Sequence, residues 1–417
     1  MRCARAGGLI GIPFDQVERI EKGGAPDAPR PHAPTASEIP AAPLAPLIEP
    51  SPAAGLGLTP ASARARIDLL NATASPAAGG GSQMELAALY AFLGNNEMLS
   101  HNYDGAVELY HDALDHNPGL LVARLNLCTA LINLNRQDAA EEIARAVLAE
   151  QPANARAMEL LGEAALQTGR IDEAIDLWRK SLALKPGEGL RARLDRALRL
   201  RHAEEGFQRT EGARFSLGFD GDEASPDLAR EILDYLDASY SDLANRFAHY
   251  PEGVIRVTLY SRKAFQEATS SPDWVGGLFD GQLRVPIGGL SHLTPAVRRV
   301  LIHELTHCFV ASRTRGNAPR WIQEGIAQVM EGRSASSSRA ALRQAYKALG
   351  GPAGAGEFSY PSALSQVEFF LRTWSESHFN DLLDHLGRGT DIEASLRAVT
   401  GLTYPEFLAA WGESLAD

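Results

Sequence analysis

Cysteine is scarce: there are three in 417 residues, at Cys3, Cys128 and Cys308, too far apart to form a CxxC pair. Neither a disulfide framework nor a thiolate zinc site is signalled, and the redox compartment stays open. Basic charge is also in deficit. Lys and Arg number 40 against 52 Asp and Glu, a formal net charge of -12, which would repel a phosphate backbone and argues against nucleic acid as a partner. No stretch approaches the roughly 20 apolar residues of a membrane-spanning helix, so no span is expected. The opening MRCARAGGLIGIPFDQVERIE has basic residues and a short apolar run, but Pro13, Phe14 and Asp15 end that run and no small-residue cleavage site follows. A secretory signal is therefore not indicated. Residues 8–20 read instead as a strand, turn and strand, which would put the start inside a longer reading frame. As written the chain reads as cytoplasmic; a start upstream would admit the cell envelope.

Small residues and proline fill the first part of the chain. Residues 23–83 are dominated by Ala, Pro, Gly and Ser, as in APDAPRPHAPTASEIPAAPLAPLIEPSPAAG. Such a composition buries too little apolar surface to offset chain entropy, so residues 1–83 are expected to be a disordered linker. Its helix-like island is SARARIDLLNA, residues 62–72. Beyond it a period can be counted. Pro118, Pro152 and Pro186 recur every 34 residues, as do Ala106, Ala140 and Ala174, and Gly94, Cys128 and Gly162. Small residues at two columns and a proline after each second helix resemble the tetratricopeptide repeat, a helix-turn-helix unit of that length. Residues 84–204 are expected to hold three repeats and a polar-faced capping helix, GLRARLDRALRLRHAEE. The resemblance implies a protein partner.

Residues 205–417 change character and predict an α+β domain. FQRTEGARFSLGFD alternates like a strand pair, PDLAREILDYLDASYSDLANRFA is an amphipathic helix, and VIRVTLY and GQLRVPI are strand candidates. From Thr294 onward the chain reads as almost wholly helical. Thr294 and Pro295 open a helix as N-cap and first residue, and that helix contains HELTH, residues 303–307. Residues four apart share a helix face, so His303 and His307 present two imidazoles to one ion, while Glu304 is turned about 100° aside. Apolar neighbours nearly all round mark the helix as buried, and a bound cation would remove the cost of burying these polar groups. Chance alone would leave them as satisfied core residues.

Val310 and Arg313 stand where a metzincin needs glycine and a third histidine, which excludes that class. Glu324, in PRWIQEGIAQVMEG, lies 17 residues after His307 on a following helix, with Gly316 and Asn317 as the turn. Gly325 and Ala327 are expected to let this helix approach the first. HELTH followed by WIQEGIA resembles the peptidase MA-like family of gluzincins, which includes members carrying tetratricopeptide repeats. The resemblance implies a zincin-like fold holding one Zn2+ per chain on His303, His307 and Glu324, with Glu304 as general base in the hydrolysis of a peptide or protein substrate. It implies further that Tyr360 stabilises the oxyanion and that QLRVPI binds substrate backbone by edge addition. The competing reading is a catalytically silent zincin-like domain that binds peptides on a repeat scaffold. Gln328 is expected at the surface or beside a metal ligand, His292 in loop or core, and Cys308 as a small hydrophobe.

Overall fold

The computed structural model describes residues 48–72, 81–100, 102–134, 136–221, 224–271, 275–348 and 358–415. The chain divides into two compact units, Leu44–Arg201 and one that includes His202–Asp417. Among the described residues no helix is long and apolar enough to cross a membrane.

The first unit is all helix: α1 (Pro60–Ala72), α2 (Gly81–Leu99), α3 (Tyr103–His116), α4 (Leu121–Asn133), α5 (Gln137–Glu150), α6 (Ala155–Gln167), α7 (Ile171–Leu184) and α8 (Glu188–Ala203). The 34-residue period has a direct packing cause. A Cβ on Gly94 would stand 2.6 Å from the Tyr110 ring, and one on Gly162 would stand 2.4 Å from the Trp178 indole, so only glycine lets these helix pairs close. Cys128 fills the same place in the middle repeat, its Sγ 3.3 Å from the Ala140 carbonyl. Ala106, Ala140 and Ala174 are wholly buried. Helix α8 follows the last repeat and is fastened to α6 by Arg193, which pairs with Glu159 and Glu163.

The linker expectation needs correction at residues 48–72. The helix-like island at 62–72 is indeed helical, as α1, but it and residues 48–59 are not a linker: they pack against α2, with Ser51, Ala53, Ala63 and Ile67 buried. Composition misled here because a few small residues suffice when a preformed helical surface supplies the rest of the core. Residues 1–47 and 73–80, including the expected strand pair at 8–20, lie outside the described residues.

The second unit opens with β1 (Gln208–Glu211) and β2 (Phe215–Phe219), the expected strand pair, which is antiparallel. Helix α9 (Pro226–Phe247) then crosses to β3 (Ile255–Tyr260), which lies parallel to β2. Helix α10 (Arg262–Thr269), β4 (Leu278–Phe279) and β5 (Leu283–Pro286) complete a five-stranded mixed sheet ordered β1-β2-β3-β5-β4. The remaining elements are helices: α11 (Pro295–Thr314), α12 (Arg320–Met330), α13 (Arg339–Ala348), α14 (Tyr360–Thr373), α15 (Glu376–Gly387), α16 (Ile392–Thr400) and α17 (Tyr404–Ser414). Phe215, Leu217 and Phe219 of β2 join Ile232, Leu236 and Tyr240 of α9 and Leu301, Leu305 and Phe309 of α11 in one core. Helix α11 is thereby held beneath the sheet with its apolar faces committed.

The expected edge strand is misplaced. QLRVPI forms β5, which is interior, parallel to β3 on one side and antiparallel to β4 on the other. The edge strand on this side of the sheet is β4, two residues long and preceded by Val275, Gly276 and Gly277. A strand this short gives almost no periodic signal in sequence.

Candidate metal centre

Helix α11 starts as its sequence dictates. The Thr294 hydroxyl accepts from the Val297 N–H at 3.3 Å, and Pro295 occupies the first turn. It ends at Arg315, left-handed at φ 53°, followed by Gly316 at φ 78°. Its C-terminal turn is anchored to α15. Arg313 forms a two-pronged pair with Asp384 at 2.8 and 2.9 Å, and Arg315 and Asn317 each donate to carbonyls at the end of α15 at 3.0 Å. Along this fixed helix His303 and His307 lie one turn apart, ring centroids 4.8 Å from each other.

Glu324 reaches them from α12. One carboxylate oxygen lies 3.5 Å from His303 Nε2 and 3.9 Å from His307 Nε2, and all three side chains are buried to within 1% exposure. Two imidazole nitrogens and a carboxylate oxygen bonded tetrahedrally to zinc at about 2.0–2.1 Å would stand about 3.4 Å apart. The spacing fits. Moreover, His303 Nε2, His307 Nε2 and both Glu324 oxygens are buried without a hydrogen-bond partner, as are both oxygens of Glu304. Several buried, unsatisfied polar atoms converging on one point would be severely destabilising unless a cation completes them. Among the described residues this is the one His, Cys, Asp and Glu cluster able to hold a metal ion.

The electrostatics point the same way. Burial opposes charge on His303, but the carboxylates of Glu331, Glu324 and Glu304 outweigh it and push the imidazole up to about 10. These are the groups a dication would neutralise in place of that proton. Burial holds His307 well below its ordinary value, with His303 as a positive neighbour acting in the same direction. Burial likewise raises Glu304 well above the usual carboxylate range, and the nearby Glu324, Glu331 and Asp280 add to the rise.

Several neighbours were not legible beforehand. Glu331 is a new member of the site: its carboxylate faces His303 Nδ1 at 3.6 Å and pairs with Arg333 on its other oxygen at 2.5 Å. It follows Glu324 by seven residues, two helical turns, and that spacing is the signal that could have found it. Gly277 is another. A Cβ there would stand 2.8 Å from Glu304 Oε1, so the main chain leading into edge strand β4 lies directly against the glutamate. Gly325 has a different role from the one expected: a Cβ on it would strike the Ala363 carbonyl at 2.4 Å, so it closes α12 onto α14 rather than onto α11. Gln328 is neither at the surface nor on a ligand side chain. It is buried and donates to the carbonyls of Glu324 and Tyr360, both at 3.0 Å, which ties α12 to the start of α14.

Tyr360 is thereby brought to the site. Its phenol is raised by burial first and then by the Glu324 charge, with a smaller contribution from Glu304. His292 is exposed and outside the cluster, hydrogen-bonded to Ser291. Cys308 is packed in the core, its thiol pushed up to about 12 by burial.

Sequence comparison bears on the first unit. The tetratricopeptide repeat family model matches residues 97–151 and 125–189. The chain carries tetratricopeptide repeats. The small glutamine-rich tetratricopeptide repeat-containing protein 2 of Mycosarcoma maydis is 29% identical over 93 residues, 22% of this chain, and the match spans about a quarter (26%) of that relative's length. Two solved tetratricopeptide domains, the first of Spaghetti bound to an HSP90 peptide and that of Arabidopsis OM64, are each 22% identical and cover 28% of this chain, with TM-scores of 0.27. The matches cover 92% and 96% of those two chains.

Proposed function

We propose that the second unit is a zinc-dependent metallopeptidase of gluzincin type, with a zincin-like fold, and that the repeats recruit its protein partner or substrate. The observation that carries this reading is the convergence of His303, His307 and Glu324 in a buried cluster whose ligating atoms have no other partner, with Glu304 beside it. Bound there, zinc would supply a Lewis acid and make a water acidic enough to ionise near neutrality.

The chain's own residues account for the rest. Glu304 takes the proton of the attacking water and passes it to the leaving amine. The Glu331 carboxylate lies 3.6 Å from His303 Nδ1, the nitrogen that would face away from a metal held by Nε2, where its charge would orient the ring. The Tyr360 hydroxyl donates to the oxyanion that develops on the scissile carbonyl. A substrate added as an extra strand along β4 would run past Gly277, whose main chain touches Glu304, so edge addition is assigned to β4 in place of β5.

Cleavage of casein or a peptide library by the purified chain and by its Glu304→Gln variant tests this. The proposal expects turnover to fall by about 10²–10⁴-fold in the variant while the zinc content is unchanged. Zinc bound at full occupancy with no turnover in either protein would replace it with a silent zincin-like domain that binds peptides.

A further inference from the structure

Arginines near the acidic metal centre differ in their partners. Arg333 pairs with Glu331 at 2.5 Å, and the buried Arg284 pairs with Glu204 at 2.9 Å and with Asp280 at 3.1 Å. Both are committed to carboxylates that the fold itself supplies. Arg320, the first residue of α12, is half-buried and pairs with no carboxylate among the described residues. Its guanidinium lies 4.0 Å over the Phe358 ring centroid and 5.8 Å from that of Tyr360.

Folding alone gives little reason for a cation at this place. The first turn of a helix presents unpaired N–H groups and the positive end of the dipole, which disfavours Arg by about 0.3–1 kcal/mol. Stacking on aromatic rings returns about 0.5–1 kcal/mol, so the two effects nearly cancel. What the arrangement does offer is a binding edge. The Phe358 ring covers one face of the planar guanidinium and leaves its N–H groups to match the two oxygens of a carboxylate. Residues 320 and 324 are one turn apart, so Arg320 rises on the same side of α12 as the candidate ligand Glu324. Its charge also reaches Tyr360: burial and the Glu324 carboxylate raise that phenol, and Arg320 opposes the rise.

We propose that Arg320 selects the substrate by pairing with a carboxylate that the peptide carries close to the scissile bond. One turn displaces Arg320 from Glu324 by roughly 6 Å along the helix, about two residues of an extended chain. The carboxylate is therefore a free C-terminus or an Asp or Glu side chain within about two residues of that bond. A phosphate is a poorer match, because a single guanidinium beside the acidic side chains of the centre meets a dianion with twice the repulsion of a monoanion.

The ligand's being a peptide rests on the metallopeptidase reading, while the test is one of binding, so the two can fail separately. Full-length Glu304→Gln protein supplied with zinc is immobilised beside the same protein carrying Arg320→Ala or Arg320→Lys. Each is equilibrated with a degenerate mixture of short peptides in three forms: carboxyls native, C-terminus amidated, and all carboxyls methyl-esterified. Retained peptides are quantified by mass spectrometry, and any retention by the repeat unit is common to all three proteins and cancels between them. The Glu304→Gln protein is expected to retain the native form at least tenfold better than the esterified form, with the difference abolished by Arg320→Ala and kept in part by Arg320→Lys. Loss of retention on amidation assigns the carboxylate to the C-terminus, and undiminished retention assigns it to a side chain. No difference between native and esterified peptides, or a difference that survives Arg320→Ala, overturns the inference. Equal zinc content and circular dichroism in the three proteins show the variants to be folded. If none of them holds zinc, the metallopeptidase reading fails, and the retention ratios still decide the role of Arg320.

Discussion

Four side chains make up the candidate metal centre, and three local causes place them. His303 and His307 share a face because they are one turn apart on a helix whose other faces are apolar. Glu324 meets them because a left-handed residue and a glycine, Arg315 and Gly316, end the first helix and turn the chain back toward the second. Glu304 is pressed between its own helix and the Gly277 main chain. A fifth side chain, Glu331, faces the outer nitrogen of His303. Replacing it by glutamine removes the charge but preserves the shape, and the expected outcome is a 10–100-fold loss of zinc affinity in a chelator competition assay, with an unchanged circular dichroism spectrum. Glu331 escaped the sequence reading because its seven-residue spacing from Glu324 is a weak signal by itself, whereas HELTH was legible because two histidines and a glutamate fall within five residues.

At the scale of elements, the metal centre depends on how closely α12 packs on α14 and how firmly α11 is tied to α15. The first contact is closed by Gly325. Even one added methyl would meet the Ala363 carbonyl at 2.4 Å, so Gly325→Ala must push the helices apart. About 1–3 kcal/mol of destabilisation is expected, a fall of roughly 3–10 °C in the midpoint of thermal unfolding, together with weaker zinc binding. The second contact titrates. Hydrogen bonding from Arg313 comes first in holding Asp384 below its ordinary value, against partial burial. A carboxylate held low in the folded state contributes stability above its unfolded value, near pH 4, and loses it as the pH falls through its folded value. With Asp384 42% exposed, the pair is worth about 1 kcal/mol or less. Asp384→Asn should therefore lower the melting midpoint by about 1–3 °C at pH 7, and by progressively less as the pH falls below about 4.

These elements differ in how far the sequence announces them. The repeat helices, the β1-β2 pair, the crossover helix α9 and the cap of α11 all follow from period, alternation and capping residues. The order of strands does not, because β4 is two residues long and β5 gains its interior position from tertiary pairing. Gly325 was correctly singled out as a close-approach residue but given the wrong partner, since nothing local distinguishes the face toward α11 from the face toward α14.

For the whole molecule, the two units differ in kind: one is built of tetratricopeptide repeats, and the other, mixed α+β, holds a buried His, His and Glu cluster. Composition correctly marked residues 23–83 as poor in core-forming side chains, yet residues 48–72 are built onto the repeats. A handful of small residues reached a ready-made surface, and no composition rule counts that surface in advance.

The measurement closest to the central claim is the zinc content of the purified full-length protein beside its Glu324→Ala variant, read by inductively coupled plasma mass spectrometry after exhaustive dialysis. About one zinc per chain in the wild type and close to none in the variant is the predicted result. A wild-type protein that stays folded and binds no zinc when it is supplied, or a Glu324→Ala protein that retains it fully, would contradict the site proposed here.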